Sequence, residues 1–227
     1  MMPKLAYKHY LLGLLTVVAA FNYLDRVVLA LLLEPIKQDF QLSDAQLGFL
    51  SGFAFTLFYA LAGIPIARWA DRGNRNTIIT LTTALWSSMV ALCGLVGNFS
   101  QLLLVRMGVA VGEAGCLPPA QSLIADYFDR AERPRAMATY WLCFPLSVIV
   151  GFLGGGWLAE AVGWRMTFII MGVPGILLAI LVKLTLREPR LKQTTTVAVE
   201  HPSWNEVLAT LWQTQAFRHI VLAFCVS

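Results

Sequence analysis

Charge is what this sequence has least of. Only 13% of its 227 residues are Asp, Glu, Lys or Arg, against 58% hydrophobic residues and a mean hydropathy of +0.67. A soluble domain carries about 25% charged residues. Too little polar surface is present to clothe a water-exposed globule, and the chain reads as a membrane protein. Histidine is scarce too: His9, His201 and His219 are the only three, and none lies clearly inside a complete apolar run. With no evident base or metal cluster at membrane depth, an intramembrane enzyme is disfavoured and no cofactor or metal is expected. Cys93, Cys116, Cys143 and Cys225 lack metal-ligand spacing and sit in apolar stretches; they read as small buried thiols rather than disulfides or metal ligands. The net charge of +4 does not point to nucleic acid, because the basic residues fall between apolar runs instead of sharing one soluble face.

What is abundant is apolar sequence in runs long enough to cross about 30 Å of hydrocarbon. Six such runs are expected at 9–33, 46–69, 77–97, 101–127, 136–160 and 164–186. The first is too long for a signal-peptide core and lacks a small-residue cleavage site, so it reads as a retained helix. Lys4 and Lys8 precede helix 1; Arg68, Arg72 and Arg75 join helices 2 and 3; Arg130, Arg133 and Arg135 join 4 and 5; Lys183, Arg187, Arg190 and Lys192 follow helix 6. Only Lys37 and Arg165 fall on the other side. The positive-inside rule therefore places both ends of the six-helix unit, residues 1–187, in the cytoplasm. Residues 188–215 read as a cytoplasmic linker with a short amphipathic helix, where Ser203 and Glu206 have capping-box spacing. Residues 216–227 read as the truncated start of a seventh span, so the chain is expected to be the first half of a larger protein.

Helix 1 nevertheless carries Asp25 and Arg26 side by side in the run "AAFNYLDRVVLALLL". Each charge at that depth costs at least about 2.5–3.5 kcal/mol on the lenient insertion scale, so the pair is expected to have a use. Asn22, Asp25 and Arg26 stand at i, i+3 and i+4 and share a face. Helix 4 carries Arg106 and Glu113, also on one face. At a rise of about 1.5 Å per residue, the two sets overlap in depth. If helices 1 and 4 adjoin, two acids and two bases line one cavity and cancel. A fixed ion-pair cluster is the static alternative, but buried charge networks often stabilise less than apolar packing would. The functional expectation is a substrate and proton site. Arg26 holds an anionic group with Asn22 and Glu113 beside it, and Asp25 and Glu113 are the acids that can exchange a proton when a neighbouring cation is withdrawn. Which acid carries it stays open.

Glycine pairs Gly48/Gly52, Gly108/Gly112 with Gly115, and Gly151/Gly155 suit close helix contact. Pro118, Pro119, Pro145 and Pro174 remove backbone donors and should bend helices 4, 5 and 6.

The segment "ARWADRGNRN" between helices 2 and 3 resembles the signature loop of the major facilitator superfamily, G-x-x-x-D-R-x-G-R-R/K. Asp71, Arg72 and Arg75 stand at its charged positions, while Ala67 and Asn74 replace its glycines. "FNYLDR" together with "GEAG" is similar to the spinster-like branch, and "GFLGGGW" stands where many drug antiporters carry a proline-containing motif. This resemblance implies an all-α membrane fold: six helices as two inverted three-helix repeats, the N-terminal bundle of a twelve-helix transporter whose other half completes the pathway. It further implies a proton-coupled carrier of an anionic lipid such as a lysophospholipid or sphingoid phosphate, or alternatively of an organic anion or sugar phosphate. In that reading Arg26 engages the head group, Asp25 and Glu113 serve proton coupling, and Asp71, Arg72, Arg75 and Asp126 form a gating network. The implied setting is a bacterial inner membrane.

Overall fold

The computed structural model describes residues 4–189, 210 and 212–219. Residues up to Leu191 form one compact unit and those from Lys192 a second. In the second, the described residues are helical at 210, 212–213 and 215–219. Most of the expected amphipathic helix and of the seventh span lies outside the described residues.

The first unit is helical, and its described residues contain no strand. Helix α1 runs Lys4–Phe40, two turns beyond the expected end at 33 and through Pro35. It stops where Gln41 adopts φ +55° and Leu42 N–H reaches back to Lys37 O at 3.0 Å, the hydrogen bond of a Schellman stop. Helix α2 spans Asp44–Arg72 behind a capping box between Ser43 and Gln46. Helix α3 is Arg75–Cys93, capped by the Asn74 side chain on Thr77 N–H. Helix α4 spans Phe99–Tyr127, capped by Asn98. It is interrupted at Gly115–Cys116, just before Pro118 and Pro119.

The last helical stretch, Arg133–Thr185, is 53 residues long, about 80 Å at the helical rise, far more than one crossing needs. Gly163 breaks it with φ +77°, a conformation natural to glycine and strained for other residues. The stretch is thus two helices, α5 (133–162) and α6 (164–185), giving six spans. Pro145 shows its effect upstream: α5 breaks at Leu142, whose N–H pairs with Thr139 O at 3.2 Å. Pro174 lies inside α6 without a break.

Close approach decides the packing. A Cβ on Gly112 would meet Trp86 backbone N at 2.7 Å, one on Gly172 would meet Ala91 N at 2.6 Å, and one on Gly175 would meet Ser87 Oγ at 2.1 Å. Helix α3 is therefore clasped by α4 on one side and α6 on the other. Gly151 and Gly155 similarly seat Val27 and Val28 of α1 against α5. Gly48 and Gly52 differ, since nothing lies within 4 Å of their added Cβ positions; among the described residues they back onto open space, not onto a neighbouring helix as expected.

The extensive contacts pair α1 with α5, α2 with α4, α3 with α6, α3 with α4, and α1 with α6. Exchanging helices 1–3 for 4–6 maps this set onto itself. Both members of one exchanged pair, α2 and α5, also carry a wide π-helical stretch, Phe49–Ala54 and Gly151–Gly155. The arrangement has the permutation symmetry of two three-helix repeats. It leaves Phe53, Leu57 and Leu61 of α2 and Phe152, Leu153 and Trp157 of α5 exposed.

Two outcomes test this packing. Gly172→Ala should destabilise the full-length protein by about 1–3 kcal/mol, read as a lower thermal midpoint in detergent, while Gly63→Ala, with nothing within 4 Å, should not. At one end, Lys8 Nζ lies 2.7 and 2.8 Å from the two Glu132 carboxylate oxygens, and that hydrogen-bonded ammonium holds the Glu132 carboxyl below its ordinary range. Its favourable contribution is present above the ordinary glutamate value and is lost as pH falls through the lowered one. A Lys8→Ala/Glu132→Ala cycle should show coupling near pH 7 that fades as pH falls below the ordinary glutamate range.

Candidate functional site

Helices α1 and α4 bring all four expected charges together as two ion pairs. Arg106 Nη1 donates to Asp25 Oδ2 at 2.6 Å, with both side chains buried. Arg26 donates to Glu113 Oε2 from Nε at 2.9 Å and approaches it from Nη2 at 2.8 Å. Glu113 is fully buried, whereas the Arg26 side chain is 36% exposed. Arg26 is thus the member of the quartet most open to an incoming group. Because Asp25 and Arg26 are consecutive and opposite in sign, and their partners lie two turns apart on α4, sliding one helix along the other would break both pairs.

An aromatic collar surrounds the exposed guanidinium. Its central carbon lies 4.9 Å from the ring centroids of both Phe55 and Tyr59 and 5.4 Å from that of Tyr23, within cation–π range. The Phe55 ring also faces Arg106 at 5.3 Å, so it stands between the two arginines. Phe55 and Tyr59 are one turn apart on α2, immediately after its π-helical stretch.

The quartet is neutral as a whole but not fully hydrogen-bonded. Asp25 Oδ1, Arg106 Nε, Glu113 Oε1 and Asn22 Nδ2 are buried without a hydrogen-bond partner among the described residues. Leaving a buried polar atom unsatisfied costs about 1–3 kcal/mol. Asn22 lies on the same face, as its spacing implies.

A second cluster forms at the face bearing Lys8 and Glu132. Arg75 is wholly buried and reaches Asp126 Oδ2 at 2.7 Å and Ser122 Oγ at 2.9 Å. Its backbone N–H and Nε donate to Glu188 Oε2 at 2.8 and 3.0 Å, and Nη2 pairs with the other Glu188 oxygen. Of the expected gating residues, Arg75 and Asp126 are thus joined, while Asp71 and Arg72 are exposed at the end of α2. Glu188 belongs to the bundle at this point, although its polar surroundings in sequence assign it to the linker. At the opposite face Arg165 pairs with Asp39 and Lys37 lies 2.5 Å from Asp44.

The profile of the Major Facilitator Superfamily matches residues 15–227. The chain belongs to this superfamily. Superfamily members are transporters rather than enzymes, and the chain is accordingly an integral multi-pass membrane protein. It is 42% identical over 76% of its length to an MFS-type efflux pump of Mycolicibacterium smegmatis, covering 40% of that protein. It is 35% identical over 74% of its length to a probable L-galactonate transporter of Escherichia coli, covering 37% of it. A crystal structure of a bacterial homologue of the human lysosomal transporter Spinster, inward-facing and unoccupied, superposes with a TM-score of 0.72 at 43% identity, over 81% of this chain and 44% of that one. The chain spans under half the length of these relatives and corresponds to the N-terminal half of the superfamily fold.

Charge spacing identified the quartet, but Phe55, Tyr59, Tyr23 and Glu188 had no comparable signal. Aromatic residues are frequent in any apolar helix, and the relevant clue, that Tyr23 precedes Arg26 by one turn, gains meaning only beside α2.

The Asp25–Arg106 pair generates a direct test. Arg106→Leu should destabilise the full-length protein by about 3–5 kcal/mol, because an uncompensated carboxylate is left buried, and the double variant Asp25→Leu/Arg106→Leu should recover most of that loss. Thermal unfolding in detergent reads both.

Proposed function

We propose that this chain forms the N-terminal half of a secondary active transporter that moves an anionic amphiphile, of lysophospholipid or sphingoid-phosphate type, by alternating access coupled to protons. The observation carrying this reading is the partly exposed Arg26 guanidinium, held by Glu113 and ringed by Tyr23, Phe55 and Tyr59. An anionic head can compete with Glu113 for the guanidinium while the aromatic rings receive apolar surface next to it. Loss of its cation in apolar surroundings lets a carboxylate take up a proton, which makes Glu113 and Asp25 the coupling acids and Arg106 the group that neutralises Asp25. Asn22 supplies a further donor toward the cargo. Arg75, Asp126, Asp71 and Arg72 steady one conformation against a second six-helix half. The face bearing Lys8 and Arg75 is the cytoplasmic one, in a bacterial inner membrane with the N-terminus inside, and residues 188–215 link the halves ahead of a seventh span.

A small organic or sugar-acid anion is the second reading, favoured by the relative described as a probable L-galactonate transporter. Proteoliposomes holding the full-length protein discriminate the two: proton-driven uptake of lysophosphatidic acid is expected, with little uptake of L-galactonate. Arg26→Ala should raise the KM tenfold or more, the worth of a hydrogen bond to a charged group. Glu113→Gln should abolish accumulation against a gradient. Unchanged kinetics in both variants would remove the site assignment.

A further inference from the structure

Tyr140 is a buried residue that the proposed mechanism does not use. It is 0% exposed, and its hydroxyl is without a hydrogen-bond partner among the described residues. Its ring belongs to a large buried cluster that includes Ala19, Cys116, Ala120 and Cys143, with Tyr23 packed against that cluster. Phenylalanine would fill the same volume without burying an unpaired hydroxyl, so packing gives no reason for the oxygen.

Its position supplies one. Tyr23 stands one turn before Arg26 on α1, and Cys116 one turn after Glu113 on α4. Because the two helices run in opposite directions, both neighbours lie on the same side of the Arg26–Glu113 pair. Tyr140 shares its buried cluster with Cys116, and Tyr23 packs against that cluster, so Tyr140 lies on that side of the pair. A phosphate or carboxylate group can accept hydrogen bonds of about 2.8 Å on two different oxygens at once. Tyr140 also occupies the last turn before α5 breaks at Leu142, where Pro145 has removed a backbone donor and Leu142 N–H pairs with Thr139 three residues back. The hydroxyl is carried on a segment set off from the rest of α5 by that break. On the other side of the break, Phe144 meets the Tyr23 ring edge to face at 5.7 Å.

We propose that Tyr140 is a substrate-binding residue of this site: its hydroxyl donates to one oxygen of a phosphate or carboxylate head group while the Arg26 guanidinium holds another. The inference rests on the reading of Arg26 as the anion-holding cation. The aromatic hydroxyl gives the site a second, neutral donor, which favours anions with at least two acceptor oxygens and leaves the charge balance of the quartet untouched.

The test is binding of dodecyl phosphate and of dodecanoate to the full-length protein in detergent, measured by titration, for the parent, Arg26→Ala and Tyr140→Phe, with the ligand-free thermal midpoint recorded for each. Tyr140→Phe should weaken binding about tenfold for one or both probes and leave the ligand-free midpoint unchanged or raised, an outcome that loss of a structural hydrogen bond would not produce. The two probes separate a phosphate source from a carboxylate source. Arg26-dependent binding that Tyr140→Phe leaves within twofold of the parent overturns the Tyr140 role and leaves the proposed function standing. Binding that survives Arg26→Ala, or failure of the parent to bind either probe, overturns both.

Discussion

An ionised side chain in hydrocarbon must be neutralised by a group on another helix, and the rest of this structure is arranged around that requirement. Asp25 and Arg26 point their opposite charges from one helix toward Arg106 and Glu113 on another. Two pairs of opposite polarity fix the α1–α4 relation more tightly than apolar packing could, since apolar surfaces slide at little cost. The same pairs hold polar atoms that find no partner among the described residues, at the place where a guanidinium meets the surface. In the proposed function, structural constraint and binding capacity come from one set of residues.

Around this quartet the bundle is unevenly stiff. Helix α3 is held between α4 and α6 by glycines that bring it close to both neighbours. Helices α2 and α5 carry the π-helical stretches and the Leu142 break, and many of the large exposed apolar residues. Substrate-binding groups proposed beyond the quartet, Phe55 and Tyr59 on α2 and Tyr140 on α5, lie on these more yielding helices. In the proposed carrier, a fixed charge centre and movable walls would serve alternation between two states, and the distribution of glycine and proline is consistent with both.

At the face rich in Lys and Arg, a different solution applies. Arg75 is buried by its position at the start of α3, so it draws in Asp126 from α4 and Glu188 from beyond α6. Tyr7 assists by accepting from Arg187 N–H at 2.7 Å and donating to Thr185 O at 3.1 Å. The chain leaving α6 is thereby tied to α1, α3 and α4.

Six spans, their approximate limits and the four membrane-depth charges were legible in sequence because hydropathy and helical period are local properties. Where reading and structure differ, the reason is a contact between distant segments or a backbone state that composition does not encode. Helix α1 ran past its expected end at 33, since the stop was set by Gln41; Gly48 and Gly52 found no helix to meet among the described residues; Glu188 left its polar stretch to pair with Arg75. The sequence alone determined that charges would be buried and at what depth, because apolar length and the cost of ionisation require no partner to be known. Only the tertiary structure decided which acid met which base and which rings enclosed Arg26, because those depend on the angular setting of helices far apart in the chain.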